Sequence, residues 1–183
     1  MTLFNRFQQH FRQKNQYLQL QAQEICCSVP LQQVNKIFSL MALTAVPKTP
    51  PYLAGVFNYH GNLVPVLDLS LRLGQQPATG YSCNTQVVLC NTLENEAFLG
   101  LIVSSVGNVI ELSHNQLHLA PQFSGKALPF SSVYQQQQQV CFLLNTDALL
   151  NSSLTQLYSV SPDEIDNMIR QNLFNFDEEA HDS

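Results

Sequence analysis

Charge is scarce in this chain. Asp, Glu, Lys and Arg make up 11% of its 183 residues, against about a quarter in a typical soluble domain. Bases are scarcer than acids, eight against thirteen, and the formal net charge is −5. A surface able to neutralise a phosphate backbone is therefore missing, which argues against nucleic acid as a partner. Long apolar runs are missing too: no stretch approaches the ~18 residues of a membrane span. The first residues, MTLFNRFQQHFRQKNQ, lack the continuous apolar core of a signal peptide. The expectation is a cytoplasmic protein with no direct membrane insertion.

Signatures of catalysis are equally thin. Gly55 and Gly61 stand without the further glycines or the Lys-Ser/Thr of a phosphate loop. Cys26 or Cys27 could be paired with His60 as nucleophile and base, but no nucleophile elbow or orienting acid accompanies them. His114 and His118, four apart, would suit a zinc pair on a helix. The Ala120-Pro121 that follows makes a turn the better reading. The five cysteines fit no metal or redox spacing, and most lie in apolar runs. They are read as buried free thiols of a reducing compartment. The expectation is a protein that is not an enzyme and has no metal and no cofactor.

What is present is enough apolar side chain, 45% of residues, to offset the entropy of ordering a chain. Charge is polarised along it: residues 1–15 carry +3, residues 16–160 carry −2 and residues 161–183 carry −6. This divides the chain into a basic amphipathic N-terminal segment (1–15), a nearly neutral body (16–160) and an acidic C-terminal extension (161–183). Phe4, Phe7 and Phe11 share one face of a short N-terminal helix. In the extension, Ser161-Pro162-Asp163-Glu164 opens a helix by a capping box with proline in the first turn. Ile165, Met168, Ile169 and Leu173 then share its apolar face, and an acidic tail follows.

Within the body the apolar period is two. Tyr17–Gln21 and Ile25–Val29 read as a hairpin, and Leu31–Ile37 as a short helix after Pro30. Two further strands lie around His60-Gly61. After a linker-like break at residues 75–82, Gln86–Cys90 and Phe98–Val103 repeat the first hairpin. CFLLNTDALL from Cys141 echoes VPVLDLSLRL from Val64, with Asn145 in the place of Asp68. Two echoes in one order point to duplicated β-subdomains, about 16–78 and about 84–157. Asp68 lies in an apolar strand and must find donors there; tying down the neighbouring turn is its simplest use. The run Gln135–Gln139 reads as a solvated loop, with a polar recognition patch as the competing reading.

The body also resembles a known family. PPYLAGVFNYHGNLVPVLDL, beginning at Pro50, is similar to the pattern small-G-hydrophobic-x-N-L-R-G-x-hydrophobic-x-P-hydrophobic-x-D-L of the CheW-like coupling proteins of bacterial chemotaxis. Leu31–Ile37 falls where that family has a short helix. Asn115-Gln116-Leu117 with Ala120-Pro121-Gln122-Phe123, and Leu143–Asn151, resemble its later motifs. The chain departs from the pattern at His60, which replaces an arginine. Ser104 replaces a second-subdomain aspartate, and glutamines replace the glycine turn before the last strand. His60 for arginine resembles divergent members in surface-sensing or twitching-type pathways.

The resemblance implies a mainly β fold of two pseudo-symmetric five-stranded SH3-like barrels, with short helices and here an added C-terminal helix. It implies an adaptor that couples the cytoplasmic tip of a methyl-accepting-type chemoreceptor to the regulatory domain of a CheA-type histidine kinase. Such a protein would be cytoplasmic and recruited to membrane receptor clusters. The alternative is a divergent binding module of this fold that serves another regulator without a kinase. The family's receptor contacts carry over to Val34, Gly55 and His60; no residue is assigned to the kinase. Strand phase adds Asn58: Val56, Asn58 and His60 share one face, taken as outward, and Phe57 and Tyr59 the other, taken as the barrel filling.

Overall fold

The computed structural model describes residues 15–76, 80–93, 97–118 and 128–157. The basic N-terminal helix, Ala120–Phe123 and the capped C-terminal helix lie outside the described residues. Ten strands follow one another: β1 (Gln16–Ala22), β2 (Ile25–Pro30), β3 (Val34–Ser39), β4 (Leu53–Tyr59), β5 (Asn62–Asp68), β6 (Gln86–Asn91), β7 (Phe98–Val103), β8 (Ser105–Glu111), β9 (Phe130–Gln136) and β10 (Gln139–Leu144). Two helices, α1 (Leu69–Arg72) and α2 (Thr146–Leu157), follow β5 and β10. The fold is mainly β, as expected.

The strands form two five-stranded sheets, ordered β3-β6-β7-β5-β4 and β8-β1-β2-β10-β9. Moving five strands along the chain, and passing from β10 back to β1, converts the first order into the second. Each sheet has one parallel pair, β5 with β7 and β10 with β2; the other pairings are antiparallel. The duplication read from the sequence is therefore present, but not with boundaries at 16–78 and 84–157. One sheet is continuous in the chain, from β3 to β7. The other joins the N-terminal hairpin β1–β2 to β8–β10. Hairpin β1–β2 occupies in its sheet the place that β6–β7 occupies in the other, and alternation of side chains cannot tell which sheet a hairpin will join.

Alternation does set the burial. On β1, Tyr17 enters one apolar cluster and Leu18, Leu20 and Ala22 another. The first cluster also contains Cys26, Tyr134, Cys141 and Leu143, all from one sheet, so that sheet curls round its own interior. Phe57, Val64, Val66, Val87, Leu89 and Ile102 fill the other sheet in the same way. Between the sheets lies a third and larger core, with Leu18, Leu20, Leu67, Val88, Leu101 and Leu144 among its members.

Local differences from expectation have local causes. Pro30 opens a single 3-10 turn, Leu31–Gln33, in place of a helix to Ile37. Val34 already pairs with Cys90 and Ile37 with Val88 on β6, and β-branched side chains favour that pleated setting. Five glutamines do not make a loop: Gln135 and Gln136 finish β9, and Gln139 starts β10. Gln137 and Gln138 make the turn, with φ of 45° and 70°. The cysteines also differ from the all-thiol expectation. Cys26 and Cys141, register partners on β2 and β10, form a disulfide, leaving Cys27, Cys83 and Cys90 free. Residues 115 apart in sequence give no sign of this before the strand pairing is known.

Candidate functional site

The expected receptor-facing residues fall in three settings. Asn58 is the exposed residue of β4, and its Oδ1 accepts a hydrogen bond from the Gly61 N–H at 2.8 Å. His60 and Gly61 form the two-residue turn between β4 and β5, with φ of 51° and 87°. Tyr59 pairs with Asn62 across it. Two successive positive φ values are what a tight hairpin requires, and the glycine takes the second at no steric cost. His60 is thus exposed because it is at a turn; the strand-phase argument does not apply to it.

The same phase argument fails at Val56, which is buried although it was placed on the outward face. Its backbone pairs with Thr44, N–H to carbonyl in both directions, at 2.8 and 2.9 Å. The segment around Thr44 therefore covers that side of β4. Gly55 lies beneath the same cover, buried, at φ +150°. A Cβ on it would stand 2.7 Å from the Thr44 carbonyl oxygen. Its smallness is used by its own chain.

Tyr59 supplies a connection that strand phase did not reveal. Its ring lies edge-on to Phe57, His60 and Phe98, with centroids 6.3, 4.5 and 5.3 Å away. Its hydroxyl donates to Asn35 Oδ1 at 3.2 Å. Asn35 follows Val34 on β3, so Tyr59 ties the hairpin tip to the start of β3. Val34 itself is half-buried and packs on the central core. Asn58 and His60 on the hairpin and Asn35 at the start of β3 offer hydrogen-bonding groups. Ile37 and Leu63, 40% and 46% exposed, supply apolar contact. The reading of Phe57 and Tyr59 as barrel filling holds, Phe57 within that sheet's interior and Tyr59 packed against it, and the bond from Tyr59 to Asn35 adds the brace.

A second polar setting surrounds Asp68. Its Oδ1 accepts from the Leu71 N–H at 3.0 Å, capping α1, and its Oδ2 accepts from the Tyr81 hydroxyl at 2.9 Å. Burial of that hydroxyl, followed by the Asp68 hydrogen bond and charge, pushes the Tyr81 phenol up. Asn145 repeats the cap at α2, accepting from the Ala148 N–H at 3.0 Å. The replacement of Asp68 by Asn145 in the sequence echo is thus a like-for-like cap. Ser104 accepts from the Gln23 N–H at 2.8 Å, fixing the β1–β2 turn.

Fold and surface together define a duplicated β-sheet module whose exposed hairpin is braced from within. The chain belongs to the CheW-like domain family, whose model matches residues 16–154. It is 30% identical over 96 residues to the chemotaxis protein CheW of Klebsiella aerogenes, covering 52% of this chain and 56% of that protein. Over 139 residues it is 27% identical to the chemotaxis protein CheW of Bacillus subtilis, covering 75% of this chain and 86% of the relative. The chain thus spans little more than half the length of the first of these relatives. The crystal structure of the scaffolding protein TtCheW from Thermoanaerobacter tengcongensis has the same fold. It superposes with a TM-score of 0.61 at 21% identity, over 72% of this chain and 88% of that one. Among the described residues no helix is long and apolar enough to cross a membrane, and no three metal-ligating side chains cluster.

Proposed function

We propose that this protein is a non-catalytic chemosensory adaptor that couples a chemoreceptor to a CheA-type histidine kinase from the cytoplasmic side of receptor clusters. The observation that carries the reading is the family match over residues 16–154, together with a preformed polar and apolar surface on the β4–β5 hairpin and β3. The receptor's helical tip would rest on Asn58, His60 and the exposed edge of β3. There carboxamide and imidazole groups can donate or accept, and Ile37 and Leu63 remove apolar area from water. Val34 and Gly55 support that surface from below, Val34 by packing and Gly55 by admitting the Leu43–Thr44 cover.

The test is capture by an immobilised receptor tip hairpin and, separately, by a CheA-type kinase regulatory domain. Asn58→Arg and His60→Glu should each weaken receptor capture several-fold and leave kinase capture and far-UV circular dichroism unchanged. Receptor capture that ignores both substitutions would remove the hairpin from the interface. Capture of the receptor tip with no affinity for the kinase domain would favour a binding module that serves another regulator.

A further inference from the structure

The β8-β1-β2-β10-β9 sheet is filled differently from its counterpart. On β1, Gln19 and Gln21 share the phase of the interior residue Tyr17, where an apolar side chain would be expected. A cleft of about 340 Å³ opens beside them, lined also by Ser105, Asn108, Gln136 and Gln139. Gln19 donates across it to Gln136. Among the described residues its lining carries no formal charge. Cys26 and Cys141 line this same cleft, so their disulfide faces a solvent-connected space although both residues are largely buried.

The position of that disulfide in the topology gives it leverage. The sheet is assembled from the two ends of the chain, and the parallel pairing of β2 with β10 is one of the two seams where they meet, β1 with β8 being the other. The β2–β10 seam has three register pairs, Cys141 with Cys26 being the first. The disulfide is a covalent staple across it.

We propose that Cys26–Cys141 is a thiol-exchange site, and that the glutamine-lined cleft admits a small thiol-bearing peptide that opens the staple. Carboxamide side chains both donate and accept, which matches the amide units of such a peptide. The thiolate of the incoming peptide attacks the Sγ of Cys26, the more exposed of the two residues, forming a mixed disulfide and releasing Cys141 as thiolate. A second peptide thiolate attacks the peptide sulfur of that mixed disulfide. Cys26 is released as thiolate, both cysteines take up protons, and the peptide leaves as its own disulfide. Two peptide thiols are oxidised and one protein disulfide is reduced. The other buried cysteines are poor competitors: Cys27 and Cys90 are sealed in the central core, where burial pushes each thiol up to about 12.

Reduced and oxidised glutathione are the probes, applied to the full chain in its native state. After air oxidation without added glutathione, alkylation in denaturant should label three of the five cysteines, Cys27, Cys83 and Cys90, with Cys26 and Cys141 protected. Millimolar reduced glutathione without denaturant should raise the label to five. Amide exchange in β2 and β10 should then quicken by roughly tenfold or more, while β4–β6 stay as they were. Gln19→Ala should slow the glutathione reaction and leave reduction by dithiothreitol unchanged. In Cys141→Ser, oxidised glutathione should modify Cys26 and spare Cys27 and Cys90. If that variant does not fold, the thiol counts on the wild-type chain still decide. Failure of the three-thiol state to form, resistance of the disulfide to native reduction, or equal exchange rates in both redox states would overturn the proposal.

Discussion

Gly55→Ala separates a glycine that makes room for its own chain from one that makes room for a partner. The added Cβ would meet the Thr44 carbonyl oxygen at 2.7 Å and Leu43 Cβ at 3.0 Å. The first neighbour is backbone and cannot rotate away. Moving it would disturb the paired hydrogen bonds between Thr44 and Val56, each worth about 0.5–1.5 kcal/mol net. The φ of +150° adds backbone strain of about 1–3 kcal/mol for any other residue, and overpacking a filled site costs about 1–3 kcal/mol. Since relief of one cost offsets part of another, the expected total is about 2–5 kcal/mol. With a urea dependence of about 2 kcal/mol per molar, the midpoint should fall by about 1–2.5 M. The assay is urea unfolding followed by far-UV circular dichroism. A midpoint within about 0.3 M of wild type, with receptor capture lost, would refute the reasoning and return Gly55 to the interface.

Three further outcomes follow from the hydrogen bonding and the turns. Asn145→Ala should remove the α2 cap and cost about 1 kcal/mol; Asp68→Ala should cost more, since it also strips the Tyr81 hydroxyl of its acceptor. Equal melting temperatures for wild type and both variants would contradict this. Tyr81 is held neutral above its ordinary value of 10.0, so its contribution is complete below that pH. That contribution is lost as pH rises toward the folded value, because the unfolded chain releases the proton first. Tyr81→Phe should flatten the fall of stability above pH ~10, and an unchanged slope would count against the contact. Replacing Gln137-Gln138 by Asn-Gly should raise the thermal midpoint, because both positions hold positive φ that glutamine tolerates poorly and this pair favours; a lower midpoint would show that the glutamine side chains stabilise the turn.

The mainly β fold and its duplication could be read from the chain because period-two alternation and cap residues act locally. The apolar alternate positions of the hairpin strands read from the sequence, among them Leu18, Leu20, Val88 and Leu101, are buried. Asn145 is legible as the counterpart of Asp68 in the sequence echo, and the hydrogen bonds show that both cap a helix. What was not legible depends on pairing between distant strands. Leu67 and Leu101, in segments that the sequence reading places in separate subdomains, share one core, because β5 pairs with β7 within a single sheet. Val56 was placed outward for want of any sign that Thr44 would pair with it. His60 takes no strand phase because His-Gly between two apolar runs makes a turn. The Cys26–Cys141 contact exists only because β2 lies parallel to β10, which no spacing announces.

The most direct test of the adaptor reading is whether one molecule of this chain holds both partners at once. The purified chain, a receptor tip hairpin and a CheA-type kinase regulatory domain would be mixed and their assembly mass measured by analytical ultracentrifugation. The account predicts a ternary complex that His60→Glu reduces to the binary complex with the kinase domain. Mutually exclusive binding, or binary complexes alone at any ratio, would contradict it.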